Sequence, residues 1–227
     1  TTLLNSKSVF EPFTIAQNMV RSDFLILDSK KRSSGEALEL AEKYLEKVPN
    51  DFRFMASLGG SYTKSGKMGD DDALLRKGEE HIRKAIVFAP NRPDFQYSLV
   101  LSLAYQKRFK EAFDVLDKLM SKDSLLLDSY YYYAFVLVLE GETNYAQALD
   151  YFEKSFNMKP YLYFDDKQEI ENMYTNFVKY FYNTKDRDRF VSASERLIAG
   201  NHSGSESLRQ MLKFIKEKNT WPKVQFK

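Results

Sequence analysis

Apolar residues recur at intervals of three and four along most of the chain, the spacing of one face of an α-helix. Prolines, glycines and short polar clusters interrupt this pattern. Asp51 and Asp94 are candidate N-caps, because a side-chain oxygen can accept hydrogen bonds from the free N–H groups of a first turn. The pattern predicts an all-α protein with helices at residues 11–28, 34–47, 51–65, 71–88, 93–106, 109–121, 125–140, 144–157, 165–183, 186–199 and 205–218.

One order of residues repeats along this helical pattern. An apolar residue, a Leu, a small residue and a Tyr lie on a first helix, and Ala, a large residue and Pro follow on and after a second. This order resembles the tetratricopeptide repeat, a helical pair of about 34 residues. The residues that carry it are Ala37, Ala41, Tyr44 and Pro49 in a half-matching first repeat; Met55, Leu58, Gly59, Tyr62, Ile82, Ala85 and Pro90; Leu99, Ala112, Leu116 and Leu119; and Tyr130, Tyr133, Ala134, Ala148, Phe152 and Pro160.

The resemblance implies a right-handed solenoid of about five helical pairs, in which a small residue lets two helix backbones approach closely. Pro49 and Pro90 lie seven residues further apart than one period allows, and the Gly- and Asp-rich stretch 66–72 predicts a lengthened turn. Trp221 is predicted to pack on the final helix. We expect a single domain, 1–227, with degenerate repeats near 11–48, 51–88, 93–123, 125–158 and 163–200 and a capping helix at 205–218.

Composition and motifs argue against catalysis and against cofactors. The net charge of +2 is unlike that of a dedicated nucleic-acid-binding protein, and the absence of cysteine removes disulfides and thiolate metal sites. The stretch 60–68 lacks the first Gly and the final Ser or Thr of a phosphate-binding loop. His81 has no second His at zinc-binding spacing and is expected on a solvated face, whereas the acidic run 70–72 is expected at a helix N-terminus. We therefore expect no enzyme, no cofactor and no metal.

Aromatic residues are abundant, with 15 Tyr and 18 Phe, and they direct attention to a binding surface. The tetratricopeptide resemblance implies that certain positions of each first helix line a concave face. Such a face suits a peptide or protein partner, because rigid aromatic side chains supply contact area at low entropic cost. The alternatives are that the chain's own C-terminal segment or a loop fills the face, or that tyrosines stack on a glycan. The predicted partner-binding residues are Arg53, Lys64, Tyr97, Leu101, Tyr105, Tyr131 and Phe135.

A narrower resemblance concerns the whole chain. The segments 10–12, 88–95, 187–190 and 221–224 are similar to parts of the C-terminal tail of bacterial O-antigen ligase-like and polymerase-like membrane proteins. This resemblance implies an extracytoplasmic domain, on the periplasmic or cell-surface side, whose catalytic residues would lie in a membrane part outside this sequence. The chain start, without an initiator Met, is interpreted as the edge of a fragment. The alternatives are a free cytoplasmic adaptor and a glycan-binding module.

Overall fold

The computed structural model describes residues 34–122, 127–158, 167–199, 205–218 and 220–222, and every regular element in these ranges is a helix. The predicted helix 11–28 lies outside the described residues, and the other predicted helices agree with the structure to within four residues. The helices are α1 (Ser34–Lys47), α2 (Phe52–Gly69), α3 (Asp72–Phe88), α4 (Pro93–Tyr105), α5 (Phe109–Lys122), α6 (Leu127–Glu140), α7 (Tyr145–Met158), α8 (Lys167–Thr184), α9 (Arg187–Ala199) and α10 (Ser205–Lys218), with a 3-10 turn at Glu142–Asn144.

The chain forms two compact units, Thr1–Lys118 and Leu119–Lys227, and the prediction of a single domain stays a prediction. In the first unit α1 packs against α2, α2 against α3, and α4 against both α2 and α3. The positions that define the repeat lie in this interior, because Leu58, Ile82 and Ala85 are fully buried. Burial of these apolar faces supplies the main stabilising free energy, since one helical pair alone cannot cover both of its faces.

The second unit has an aromatic core. In this unit α6 packs against α7, α8 against α9, and α9 against α10. Phe152, Phe177, Phe181 and Phe190 are almost completely buried. The Trp221 ring contacts Tyr182 of α8 and Phe190 of α9, each with a centroid separation of 5.3 Å, and its packing on the final helix stays a prediction.

The turn between α2 and α3 is short, and the prediction of a lengthened turn is wrong. The extra residues extend the helices, so that only Asp70 and Asp71 separate them. Gly66 allows this extension, because a Cβ at Gly66 would meet the Leu75 side chain at 2.8 Å. Asp71 caps α3 by accepting hydrogen bonds from the amides of Ala73 and Leu74 at 2.8 and 3.1 Å. The prediction that the acidic run lies at a helix N-terminus is therefore confirmed.

Of the two N-caps predicted from the sequence, Asp51 is confirmed and Asp94 is wrong. Asp51 caps α2, since its carboxylate accepts a hydrogen bond from the Phe54 amide at 3.0 Å. Asp94 is not a cap, because Pro93 occupies the first position of α4 and places Asp94 inside the first turn. There its carboxylate pairs with the Arg92 guanidinium at 2.6 Å, which holds the pKa of Asp94 below its usual range.

Candidate partner-binding site

The exposed face of α2 carries only positive charge. Arg53, Lys64 and Lys67 are exposed, and the helix contains no Asp or Glu. Their offsets from Arg53, together with that of Gly60, bring all four residues to within about 60° of one another around the helix. A Cβ at Gly60 would meet no atom within 4 Å, so the backbone there borders open space. The centre of this stripe lies about 120° around α2 from Gly59 and Gly66, which pack against α3.

The neighbouring helix α4 meets this stripe through one predicted residue. Lys67 Nζ donates a hydrogen bond to the Tyr105 hydroxyl at 2.9 Å and lies 4.5 Å from the centroid of its ring. Leu101, one turn before Tyr105, is half-buried, as Tyr105 is. The structure therefore brings together a face, here called the α2–α4 face, made of Arg53, Gly60, Lys64, Lys67, Leu101 and Tyr105.

The sequence did not single out Lys67, although a signal was present. Lys67 lies three residues after Lys64 and fourteen after Arg53, and both intervals return to the same helix face. The sequence pattern predicts that α2 ends at residue 65, so the predicted face stops at Lys64, whereas the helix continues to Gly69. The contact of Lys67 with Tyr105 joins residues 38 apart in the chain and could not be inferred from local spacing.

Three of the predicted aromatic residues lie in the interior. Tyr97 on α4 is 6% exposed. In the second unit Tyr131 and Phe135 are 4% and 3% exposed, and Tyr131 packs against Phe135 and against Phe152 of α7. Side chains with so little exposed surface contribute mainly to packing. Their role in binding a partner stays a prediction, and the site described here rests on the exposed members of the set.

A partly buried polar cluster joins α1 to α2 and α3 in the first unit. One carboxylate oxygen of Glu42 accepts from the Tyr62 hydroxyl at 2.8 Å and from the Lys77 ammonium at 2.7 Å, and it lies 3.0 Å from His81 Nε2. Burial alone would raise the pKa of Glu42, but the three donors outweigh it, so the pKa is lowered. The His81 ring stacks on the Tyr62 ring with centroids 5.6 Å apart. The expectation that His81 lies on a solvated face is therefore wrong, because the ring is buried and Glu42 on another helix provides a partner for its Nε2 atom.

A second polar cluster connects α3 to the turn after α4. Glu79 accepts hydrogen bonds from Arg83 at 2.7 Å, from Gln106 at 2.9 Å and from Arg108 at 2.5 Å. Burial would raise the pKa of Glu79, but these hydrogen bonds together lower it. Every charge in the cluster has a partner of opposite sign, which is typical of a structural network.

The second unit contains one further polar cavity of about 360 Å³ between α7 and α9. Its lining includes four carboxylates and one guanidinium, and several of these groups already bind one another. Arg189 pairs with Asp186 at 2.9 Å and with Asp150 at 3.8 Å, and the Ser192 hydroxyl donates to Glu153. Within the ranges given above, no group of acidic and His side chains has the arrangement of a metal site. Among the described helices, none combines the length and apolar character needed to cross a bilayer.

Comparisons with known proteins identify the fold. No protein-family model matches the chain, and no curated protein matches it in sequence. Among solved structures, PilF of Pseudomonas aeruginosa matches at a TM-score of 0.58 and 18% identity, over 90% of this chain and 86% of that one. MamA of Desulfovibrio magneticus, from residue 41 to its end, matches at 0.54 and 14%, over 88% and 96%. Another MamA structure matches at 0.53 and 19%, over 79% and 97%.

These similar structures are tetratricopeptide-repeat proteins, so the predicted all-α tetratricopeptide fold class is confirmed. At this level of identity the comparison concerns the fold alone. The function must be argued from the surface that the fold presents in this chain.

Proposed function

We propose that this domain is a non-catalytic scaffold that binds a segment of a partner protein on the α2–α4 face. The observation that carries the proposal is the composition of this face in a tetratricopeptide fold. The backbone of Gly60 borders open space, and exposed cations lie before and after this glycine along α2. The half-buried Leu101 and Tyr105 on the neighbouring α4 supply the apolar part of the face. A surface with an apolar part and flanking polar groups suits a peptide, because the apolar part supplies affinity and the polar groups fix the register.

Photo-crosslinking in cells tests this proposal directly. A photoreactive phenylalanine analogue is placed at position 60 of the full-length protein in its source organism, and the same analogue is placed at position 110. Lys110 is exposed on α5, away from the proposed site, and is the matched control. We expect a discrete protein adduct from position 60 and none from position 110. Equal labelling at both positions, or none at position 60, contradicts the proposal.

The proposed setting is the extracytoplasmic tail of an O-antigen ligase-like membrane protein. The similarity of segments along the chain to such tails supports it. Fractionation of the full-length protein, followed by protease access from each side of the membrane, tests the setting. Retention in carbonate-washed membranes with cleavage only from outside is the expected result. Recovery from the cytosol would favour a free adaptor with the same binding face.

A further inference from the structure

The α2–α4 face has a charge pattern that its helix does not compensate. We infer that its ligand is an extended segment carrying two carboxylate side chains on one face, about four residues apart, an inference that rests on the proposed function. Arg53 and Lys64 are exposed, and neither side chain has an ion pair or hydrogen bond among the described residues. Within the part of the chain that the structure describes, the positive charge of Arg53 and Lys64 has no local counter-charge.

Two other exposed cations of the first unit have the local pairing that Arg53 and Lys64 lack. Lys43 pairs with Glu39 at 2.8 Å, and Lys84 pairs with Glu80 at 2.6 Å, each one helical turn away on its own helix. Such pairs satisfy a cation locally and leave little charge for a partner. The helix α2 offers no such pairing, because none of its 18 residues is acidic.

The third cation of the stripe is held in place. The hydrogen bond and ring contact with Tyr105 restrict the Lys67 side chain, which otherwise has many rotamers. Restriction of a long side chain before binding lowers the entropy lost on binding. The ring also places an aromatic surface beside the ammonium group, so that a ligand carboxylate and an adjacent apolar group can both be accommodated.

The spacing of the cations defines the length of the ligand segment. Arg53 and Lys64 are separated by about 16 Å along the helix axis, at 1.5 Å per residue. An extended chain rises about 3.3 Å per residue and points alternate side chains to opposite faces, so two acidic residues that both face α2 must be an even number of positions apart. Four positions span about 13 Å, and the long Arg and Lys side chains reach across the remaining few ångströms. Gly60 lies between the two cations, and the open space over its backbone leaves room for a ligand side chain or backbone.

A peptide series tests the inference. The probe is a fluorescent twelve-residue peptide with two glutamates four positions apart and a leucine midway between them, so that all three side chains share one face of the extended chain. One control peptide has the same composition with adjacent glutamates, and a second has glutamine at both positions. With wild-type protein we expect the spaced peptide to bind about tenfold or more tightly than the glutamine peptide, and to weaken as salt is raised.

Protein variants assign the binding to the face. R53E/K64E is expected to lower the affinity for the spaced peptide by about tenfold or more. The control K47E/K110E makes the same change in net charge at two exposed lysines. Its effects on the helix dipole oppose each other, because Lys47 ends α1 and Lys110 begins α5. The control should stay within about twofold of wild type. G60L should also block binding without unfolding the protein, since its Cβ meets no neighbour.

Selection from a random twelve-residue peptide library separates failure of this inference from failure of the proposed function. Enrichment of spaced acidic residues that is lost with R53E/K64E supports the inference. If the selected peptides carry no acidic residues and G60L abolishes their binding, the inference about acidic ligands is overturned and the proposed function stands. Failure of the library and of the spaced peptide to bind overturns both, and binding to an anionic glycan array in their place would identify a different class of ligand.

Discussion

Gly59 of α2 and Gly78 of α3 lie backbone against backbone. A Cβ at Gly59 would lie 2.8 Å from the Gly78 carbonyl oxygen, and a Cβ at Gly78 would lie 2.7 Å from the Gly59 carbonyl oxygen. A rigid backbone cannot move away as the end of a side chain can. The two helices approach so closely that neither position has room for a methyl group.

The first prediction follows from this contact. G59A and G78A should each lower the free energy of unfolding by about 1–3 kcal/mol, although alanine is the better helix former by roughly 0.5–1 kcal/mol. The neighbouring G60A should instead raise it by up to roughly 0.5–1 kcal/mol, because its Cβ meets nothing. Urea denaturation followed by circular dichroism measures all three. Equal stability of G59A and G60A would contradict the close approach.

Gly59 and Gly78 also show which features of the fold can be predicted from the sequence and which cannot. Gly59 is identifiable because the repeat reserves that position for a small residue, and the same pattern predicted nearly all helix bounds. Gly78 and His81 could not be identified, since their roles depend on residues of another helix. The polar run Glu79–Glu80–His81 looks like an exposed face, yet Glu42, 39 residues away from His81, makes its burial possible. Local periodicity contains no information about such pairs.

The second prediction concerns the turns. Lys107 and Lys185 both have positive φ, 59° and 61°, in equivalent turns where the next amide donates to a carbonyl five residues back. Glycine adopts this conformation without strain, so K107G should stabilise the protein by about 0.5–1 kcal/mol. K185G should gain less, because the Lys185 ammonium lies 4.2 Å from the Tyr182 ring centroid and that contact is lost. Thermal unfolding of the pair measures the difference, and a larger gain for K185G would contradict it.

The third prediction is a pH dependence at Glu79. Its pKa is lowered from the ordinary value of 4.5, so the folded state binds its proton less readily than the unfolded state. The contribution of Glu79 is therefore fully present above about pH 4.5 and is lost as the pH falls through the lower, folded-state pKa. E79Q should cost about 1–3 kcal/mol near pH 7, and the difference from wild type should shrink in more acidic solution.

The control for this prediction is the adjacent residue. Among the described residues Glu80 is exposed and pairs with Lys84 on its own helix, so E80Q should change stability by less than about 0.5 kcal/mol. Denaturation curves for both variants at pH 7 and at pH 4 make the comparison. An E79Q effect that is as small as that of E80Q at pH 7 would show that the network with Arg108 contributes nothing.

The fourth prediction concerns Glu42. E42A removes the acceptor that Tyr62, Lys77 and His81 share. The buried His81 ring then loses its partner at Nε2, and its Nδ1 atom has no hydrogen-bond partner among the described residues even in the wild type. We expect a loss of about 2 kcal/mol and faster hydrogen exchange in α1. E39A on the same helix removes only an exposed pair with Lys43 and is the matched control, expected within about 0.5 kcal/mol of wild type. Equal exchange rates in the two variants would contradict the role of Glu42.

The fifth prediction concerns Trp221, which follows the last helix. Its ring packs edge-on against Tyr182 and Phe190, the Lys185 ammonium lies 4.9 Å from its centroid, and the Tyr182 hydroxyl donates to the carbonyl of Pro222. The ring is half-buried, so W221A should cost about 2 kcal/mol, less than truncation of a fully buried Trp. W221F keeps an aromatic ring in the same place and should cost about half as much. A double-mutant cycle of W221A with K185A should give a coupling of at most about 0.5 kcal/mol, because the Lys185 ammonium keeps the nearer Tyr182 ring, 4.2 Å from its centroid, once Trp221 is gone. Thermal unfolding by circular dichroism measures each variant, and an unchanged midpoint for W221A would show that this segment does not hold α8 and α9 together.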